Sequence, residues 1–336
     1  MTEALFDTPD SSPADPAAAR ALGELTDGDE VAGAFVVRER ERRQKRDGEH
    51  FLRVVLGDRT GTVPAVAWDG VAESFEICAP GAIILVRGSF SVHPQFGRQI
   101  KIAAVKPAGP GEYDADLLKE GPARSMELLE SDLRELIETV QNPWLRQLLE
   151  RFFAPDSPSW DRFREAPAAK HYHQAYAGGL LEHSLSVAQA VSAAANFFPG
   201  IDREIAVTGA ILHDIGKTEA YNDDPLAIEL TDAGRLEGEI PRGYYKVRRE
   251  IEMIDGFDPD LAQAILHIIL SHHGQLEHGS PVVPATREAT LVHAIDNLGG
   301  KLGSFDRLER ELADGESWSR FDRGIDGSAF FGSRAA

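Results

Sequence analysis

The chain has 336 residues, 42% hydrophobic and 27% charged, an ordinary globular make-up and enough length for two domains, each with its own core. Its single cysteine, Cys78, excludes a disulfide framework and a cysteine-built zinc site. No apolar run approaches the roughly 20 residues that cross a bilayer, which excludes a membrane-spanning helix, and a net charge of −20 excludes nucleic-acid binding through overall charge alone.

Residues 1–22 form the first segment. They are rich in Ala, Pro, Asp and Ser, lack the basic start and apolar core of a signal peptide, and read as a disordered stretch of a cytoplasmic protein. Residues 23–108 carry a β pattern. Strands are predicted over 31–37, 51–58, 61–68, 83–91 and 99–105, with Gly88 marking a bulge in the fourth. Five short strands in so short a stretch predict a small closed barrel, and a five-stranded Greek-key barrel that takes up oligonucleotides is the OB-fold. Between the first two strands, residues 38–46 read RERERRQKR. A local basic loop of this kind holds a phosphate backbone within an acidic protein, and a solvated hairpin tip is the plainer alternative. Arg40, Arg42, Arg43 and Arg46 are its candidate phosphate contacts. Arg53, Trp68, His93, Phe96, Arg98 and Lys101 are candidate groups on the barrel, where an aromatic ring stacks on a base of either sugar type. For Trp68 a place in the core is the competing reading.

A Pro/Gly linker at 107–110 opens a stretch, 109–165, whose helices are expected to pack on the domain that follows. Apolar residues recur at helical spacing from Met126 to Phe153, and Asn142-Pro143 divides them into two helices. Further helices are predicted over 180–197, 203–214, 244–254, 259–272 and 286–312, so the second domain, 166–314, is all-α. Residues 315–336 read as a loosely held tail in which Phe330-Phe331 is the pair able to dock.

Four of these apolar helical runs end in, or carry at their polar edge, groups that bind metals. His183 follows Gly178-Gly179-Leu180-Leu181-Glu182, and His213-Asp214 follows Ala210-Ile211-Leu212. His272-His273 ends a run containing Leu266, Ile268, Ile269 and Leu270, and Asp296 follows Leu291-Val292-His293-Ala294-Ile295. A lone histidine on an apolar helix is most often a hydrogen-bonded core residue. Adjacent buried His and Asp are costly unless something compensates both, and a metal ion does so. Imidazoles and carboxylates gathered from several helices are the ligand set of a catalytic metal centre, whose chemistry is a metal-activated water attacking a phosphate ester.

The ordered series His183, His213-Asp214, His272-His273, Asp296 resembles the HD superfamily of metal-dependent phosphohydrolases. The stretch from His173 through Gly178-Gly179-Leu180-Leu181-Glu182-His183 to Ala188 is similar to the YhaM family within it. So are residues 212–217, Ile269-Leu270-Ser271-His272-His273-Gly274, Gly279-Ser280-Pro281, Ile295-Asp296-Asn297-Leu298, and the barrel placed before the helical domain. The resemblance spans roughly residues 24–312. It implies an HD domain over 166–314 and a 3′-to-5′ exonuclease that hydrolyses single-stranded RNA, and also single-stranded DNA, with one or two divalent ions, Mn²⁺ first and Fe, Co, Ni or Mg as alternatives. It implies one ion on His183, His213, Asp214 and Asp296, and a second on Asp214, His272, His273 and Glu239. Three positions depart from the pattern: Glu239 stands where the family has histidine, Gly299 where it has a second aspartate, and His173-Gln174 where it has a His-His pair.

On this reading Asp214 bridges the ions. Lys217 neutralises a phosphate oxygen, unless it is merely a solvated residue at a helix end. His171, His173 and Arg242 or Arg248 grip the substrate near the site. The barrel then supplies affinity and processivity, and a homo-oligomer is compatible with the chain. Two other readings stay open: a phosphohydrolase of a small nucleotide, and a non-catalytic nucleic-acid-binding protein with a degenerate metal site.

Overall fold

The protein is described here from a computed structural model, over residues 20–332 apart from 46–47, 94–96, 119, 123, 171–173, 225, 311 and 313–314. The candidates Arg46, Phe96, His171 and His173 and the segment 1–19 therefore lie outside the described residues.

Alternation of inward and outward side chains builds the first domain. In β2 (His50–Asp58), Leu52, Val54 and Leu56 are buried, and in β3 (Gly61–Ala67), Val63, Ala65 and Ala67 are. Together with β1 (Glu30–Gln44), β4 (Ile83–His93) and β5 (Gly97–Pro107) they close a barrel in the order β1-β2-β3-β5-β4, with β3 and β5 parallel and the other pairs antiparallel. Closure removes the sheet edges, and the period-2 pattern fills the interior with Phe35, Leu52, Val54, Ile84, Val86, Phe90 and Ile100. The bulge expected at Gly88 is present: the β4–β5 register shifts between Arg87 and Gly88, and a Cβ there would lie 2.2 Å from the Lys101 carbonyl oxygen.

Two parts of the barrel differ from expectation. The basic segment is not a loop up to Gln44. It extends β1 and pairs with β2 as far as Gln44 opposite His50, because a second bulge at Arg38 lets the ladder continue. A short helix, α1 (Val71–Ile77), follows β3, where its length gave no periodic signal.

The helical domain follows its apolar stripes. Asn142 caps α3 (Pro143–Phe153), accepting from the backbone N–H of Trp144 and Leu145, and Pro143 sits in the first turn, where no N–H is needed. With α2 (Met126–Glu138) and α4 (Trp160–Glu165) it packs on α5 (Gly179–Ala195) and α6 (Arg203–Leu212) through Leu133, Leu148, Phe152, Phe153 and Phe163. Helices α7 (Lys217–Ala220), α8 (Asp232–Leu236), α9 (Glu239–Glu252), α10 (Pro259–Ser271) and α11 (Arg287–Arg310) complete the domain. The α9 helix begins five residues before the predicted start. Pro241 falls in its first turn, where proline is tolerated, rather than breaking the helix. No described helix is long and apolar enough to cross a membrane.

Barrel and helices meet. The Arg38 guanidinium donates to the Leu226 carbonyl at 3.0 Å and pairs with Glu120, and the Arg59 N–H donates to the Leu117 carbonyl. Residues 315–332, expected as a tail, form a hairpin with bridges Trp318–Phe330 and Asp322–Gly327. Asp322 pairs with Arg307 of α11 at 2.6 Å, and Arg320 donates to the His93 carbonyl of the barrel. Phe331 docks edge-on against Phe305. Between barrel, α11 and hairpin lies a cavity of about 600 Å³ whose helical-domain wall includes Lys170, Gln174, Ala175 and Tyr176.

Candidate metal centre and strand-binding surface

The helix ends deliver the polar groups. Leu212 closes α6, leaving His213 and Asp214 in the following turn; Ser271 closes α10, leaving His272 and His273. His183 lies one turn into α5 and Asp296 in the middle of α11. Each is anchored by apolar neighbours on its own element that belong to one continuous core, among them Leu180, Leu181, Ala210, Ile211, Ile268, Ile269 and Val292. A fifth element is brought in by Gly216. A Cβ at this position would sit 2.0 Å from the Glu239 carbonyl oxygen and 2.6 Å from the Gly243 nitrogen. Only glycine lets the turn after Asp214 press against the start of α9, and Glu239 joins the site for that reason.

The imidazoles converge through Nε2. His183 Nε2 lies 3.2 Å from His213 Nε2, 3.3 Å from Asp214 Oδ2 and 3.2 Å from Asp296 Oδ1. His213 Nε2 is 3.3 Å from Asp214 Oδ2. On the other side of Asp214, His272 Nε2 is 3.4 Å from Oδ1, and His273 Nε2 is 3.5 Å from Glu239 Oε1. Three of the rings have Nδ1 on backbone carbonyls: His213 on Ala210 (2.7 Å), His272 on Ile269 (2.8 Å) and His273 on His278 (2.9 Å). A carbonyl only accepts, so Nδ1 carries the proton and the neutral ring turns its Nε2 lone pair inward, the arrangement that holds imidazole ligands on a metal. His183 Nδ1 faces the Gln174 side-chain oxygen at 3.1 Å.

Burial and charge make the cluster costly without a cation. His213, Asp214 and His272 are buried. Among the described residues, Asp214 Oδ1 and His272 Nε2 have no hydrogen-bonding partner although they lie side by side. Burial opposes the charged form of Asp214, yet Lys217 and the surrounding histidines outweigh it and hold its pKa well below the usual carboxylate range. Burial likewise opposes protonation of His183, but the contacts with Asp214 and Asp296 prevail and lift it to about 9. Asp296 is lowered by the same pairing against its own desolvation. His272 is pushed down by burial, the Asp214 contact offsetting only part of it. Lys217 donates to Asp214 Oδ2 at 2.7 Å and lies 3.7 Å from Glu239 Oε1; these carboxylates outweigh its burial and raise its pKa, so it is a charged member of the site and not a solvated helix end.

Two groups are therefore composed for cations, and they share one residue. His183, His213 and Asp214 bring three ligand atoms within 4.8 Å of one another, and so do Asp214, His272 and His273. Asp296 extends the first group and Glu239 the second through the contacts above. The orphaned oxygen and nitrogen and the inward lone pairs are what a divalent ion satisfies.

The other sequence candidates fall into different places. Arg242 pairs with Glu219 of α7 and with Glu237 just after α8, and Arg248 pairs with Glu252 along α9. Arg40 lies over the Phe75 ring at 4.0 Å and donates to the Phe75 carbonyl. Arg98 donates to the Leu22 carbonyl at 2.6 Å and sits over Phe90. The outer face of the barrel gathers the rest. Arg53 opposes Val66, and Val66 opposes Lys101, so the two cations stand in one row across β2, β3 and β5. Next to them Trp68, 41% exposed, stacks on Phe51 with ring centres 4.8 Å apart, and Lys45 lies 5.5 Å above the indole. Trp68 is thus a surface ring and not a core residue. Arg43 opposes Phe51 across the β1–β2 ladder and pairs with Glu41, whereas Arg42, opposite Leu52, is exposed on the other side of the strand. Phe51 and Lys45 were not singled out in the sequence, and Gln174 was noted only as the second half of His173-Gln174, with no role attached. Phe51 falls on the outward phase of β2, a signal that alternation could have supplied; Gln174 lies in a turn, which has no period to read.

Comparison with known proteins agrees with this geometry. Residues 180–300 match the HD domain family. The chain is 30% identical over 277 residues to the 3′-5′ exoribonuclease YhaM of Geobacillus sp. (strain WCH70), covering 82% of this chain and 83% of that protein. It is 30% identical over 296 residues to the 3′-5′ exoribonuclease YhaM of Bacillus subtilis (strain 168), covering 87% of this chain and 92% of that one. Among solved structures, the second OB-fold domain of replication protein A from Methanococcus maripaludis is similar at 20% identity, over 27% of this chain and 96% of that chain, with a TM-score of 0.23. A replication factor A related protein from Methanobacterium thermoautotrophicum is similar at 19% identity, over 29% and 96%, with a TM-score of 0.24. With identity of 30% sustained along more than four-fifths of both partners, and with the HD ligand series assembled at one centre, the chain belongs to the YhaM family.

Proposed function

We propose that this protein is a metal-dependent 3′-to-5′ exonuclease acting on single-stranded RNA, and on single-stranded DNA as a second substrate. The observation that carries the reading is the pair of ligand groups sharing Asp214, in a chain similar along most of its length to proteins named 3′-5′ exoribonuclease. His183, His213, Asp214 and Asp296 would hold one ion, and Asp214, His272, His273 and Glu239 the other. Bound divalent ions supply a water that is deprotonated near neutral pH and a positive field for the scissile phosphate. Mn²⁺ is the favoured ion, because Glu239 makes the second group harder than a histidine there would.

The chain's own residues set the remaining conditions. Once a bound ion has displaced the His183 proton, three carboxylates against the Lys217 ammonium would supply two negative charges toward the ions, which suits divalent cations. Lys217 keeps Asp214 ionised and fixes the oxygen it bonds, leaving Oδ1 for a cation. Thr218 and Lys246, bonded to each other, brace the turn below. On the barrel, Phe51 and Trp68 offer a stacking surface and Arg53, Lys101 and Lys45 offer phosphate contacts, all insensitive to base identity. The cavity between the domains is the route we assign to the 3′ end. Such a nuclease works inside the cell, where its substrate is and where Cys78, buried and unpaired, stays a thiol.

Substrate class tests the reading. With Mn²⁺, a single-stranded RNA of some twenty nucleotides should be hydrolysed to mononucleotides, faster than DNA of the same sequence. Turnover of nucleoside triphosphates or cyclic nucleotides with the long strand left intact would instead establish a small-nucleotide phosphohydrolase. Strand binding with no hydrolysis in any divalent metal would establish a binding protein.

A further inference from the structure

Among the described residues, Gln174 is the one side chain that contacts a ring nitrogen of the cluster's histidines from outside, apart from the backbone carbonyls. Its oxygen lies 3.1 Å from His183 Nδ1, and its amide nitrogen donates to Glu182 Oε2 at 3.2 Å. Glu182 is held in turn by the Tyr176 hydroxyl, which donates to the same carboxylate oxygen. The carboxylate decides which way the amide points. Were the amide reversed, its oxygen would face Glu182, two acceptors would meet, and the NH₂ would face His183. With the amide as it stands, Nδ1 of His183 must be the donor.

Gln174 is also conformationally unusual. Its φ is 60°, and among the described residues only it and Asp326 are non-glycine residues in the left-handed region. An L-residue held there costs on the order of 1 kcal/mol and persists only where its surroundings over-determine it. They do so here: the Gln174 carbonyl accepts from the Ala168 N–H at 3.1 Å, and a Cβ on Gly179 would lie 2.1 Å from that oxygen. The backbone is bent to place this side chain on His183. The same turn, Gln174 to Tyr176, lines the cavity between barrel and helices.

We infer that Gln174, oriented by Glu182 and Tyr176, is a positioning residue that fixes the His183 tautomer and ring angle, so that Nε2 is presented to a divalent ion. It does for His183 what the Ala210, Ile269 and His278 carbonyls do for the other three histidines. It acts from the wall of the cavity assigned to the strand. The inference rests on the metal-centre reading, and its test reads metal binding rather than hydrolysis.

The experiment is calorimetric titration of the full chain with Mn²⁺, beside thermal melting of the metal-free protein. Gln174→Met, which keeps length and removes the acceptor, is expected to lose about 10–100-fold in Mn²⁺ affinity. The swap Gln174→Glu with Glu182→Gln keeps the acceptor facing His183, reverses donor and acceptor between 174 and 182, and lets the Tyr176 hydroxyl accept instead of donate, and it is expected to bind within about threefold of wild type. A purely structural role would lower the melting temperature of Gln174→Met and leave its affinity unchanged; that result overturns the inference. So does a tenfold loss in a folded swap variant, which also decides the matter if Gln174→Met does not fold. Failure of the wild-type protein to bind Mn²⁺, Co²⁺ or Mg²⁺ would overturn the metal-centre reading itself, and this inference with it.

Discussion

Glu239 brings a carboxylate to the second ligand group where the resemblance implies a histidine, and the difference is one of ligand hardness. A carboxylate favours Mn²⁺ and Mg²⁺ over Co²⁺, Ni²⁺ and Zn²⁺ relative to an imidazole. Glu239→His should therefore shift the ratio of Co²⁺ to Mn²⁺ affinity upward by about tenfold or more, read by competition titration; an unchanged ratio would remove Glu239 from the ligand set. His183 gives a pH signature. In the metal-free site it keeps its proton up to about pH 9, because its contacts with Asp214 and Asp296 outweigh burial. An ion at Nε2 displaces that proton, so apparent affinity should rise about tenfold per pH unit through neutrality and level off above pH 9. Titration in buffers of different ionisation enthalpy at pH 7.5 should show a proton released, and no release would contradict the ligand role. His183, His213-Asp214, His272-His273 and Asp296 were legible because each interrupts or ends an apolar run, where a polar group is conspicuous; Glu239 was named only through the resemblance. Gln174 was noted only as the second half of His173-Gln174, since a glutamine in a turn has no evident role until its carboxylate partner and its φ are seen.

At the scale of elements, the hairpin β1–β2 separates two kinds of arginine that look alike in sequence. Arg40 is engaged by Phe75, through stacking and through the bond to its carbonyl, while Arg42 projects from the same strand into solvent. Arg40→Ala should lower barrel stability by about 1–2 kcal/mol in chemical unfolding with little change in the salt dependence of RNA binding. Arg53→Ala with Lys101→Ala should do the reverse, leaving stability unchanged and reducing the slope of log affinity against log salt by about 0.7 for each cation removed from the strand's phosphates. Equal slopes for wild type and the Arg53/Lys101 variant would take this face out of the strand path. Trp68→Ala should weaken binding of a long strand by about 1–3 kcal/mol and leave cleavage of a dinucleotide unaffected; an equal loss on both would contradict the division of labour between barrel and helices. The strands of the barrel and the break at Asn142-Pro143 could be read from period and capping. The start of α9 could not, because its proline and glycine imitate a helix stop. What places Glu239 is the contact with Gly216, a tertiary event invisible to local pattern.

For the whole molecule, a net charge of −20 must be reconciled with a polyanionic substrate. The structure does so by segregation: Arg53, Lys101 and Lys45 share the outer barrel face with the Phe51–Trp68 pair, and the carboxylates of the His/Asp cluster sit at the buried convergence of five helical elements. The 315–332 hairpin contributes to this geometry, since it ties α11 to the β4–β5 end of the barrel through Arg320 and walls one side of the cavity. Neither this hairpin nor the cavity was readable in the sequence, where short polar runs carry no period and contacts between domains leave no local trace. The account as a whole stands on hydrolysis at the shared Asp214 centre. Its most direct test follows a 5′-labelled single-stranded RNA with Mn²⁺, beside the His213→Ala/Asp214→Ala variant, whose folding is checked by circular dichroism. The account predicts a ladder shortening one nucleotide at a time from the 3′ end in the wild type, and an intact strand with the variant. A ladder made equally by the folded variant, or internal cuts without stepwise shortening, would contradict it.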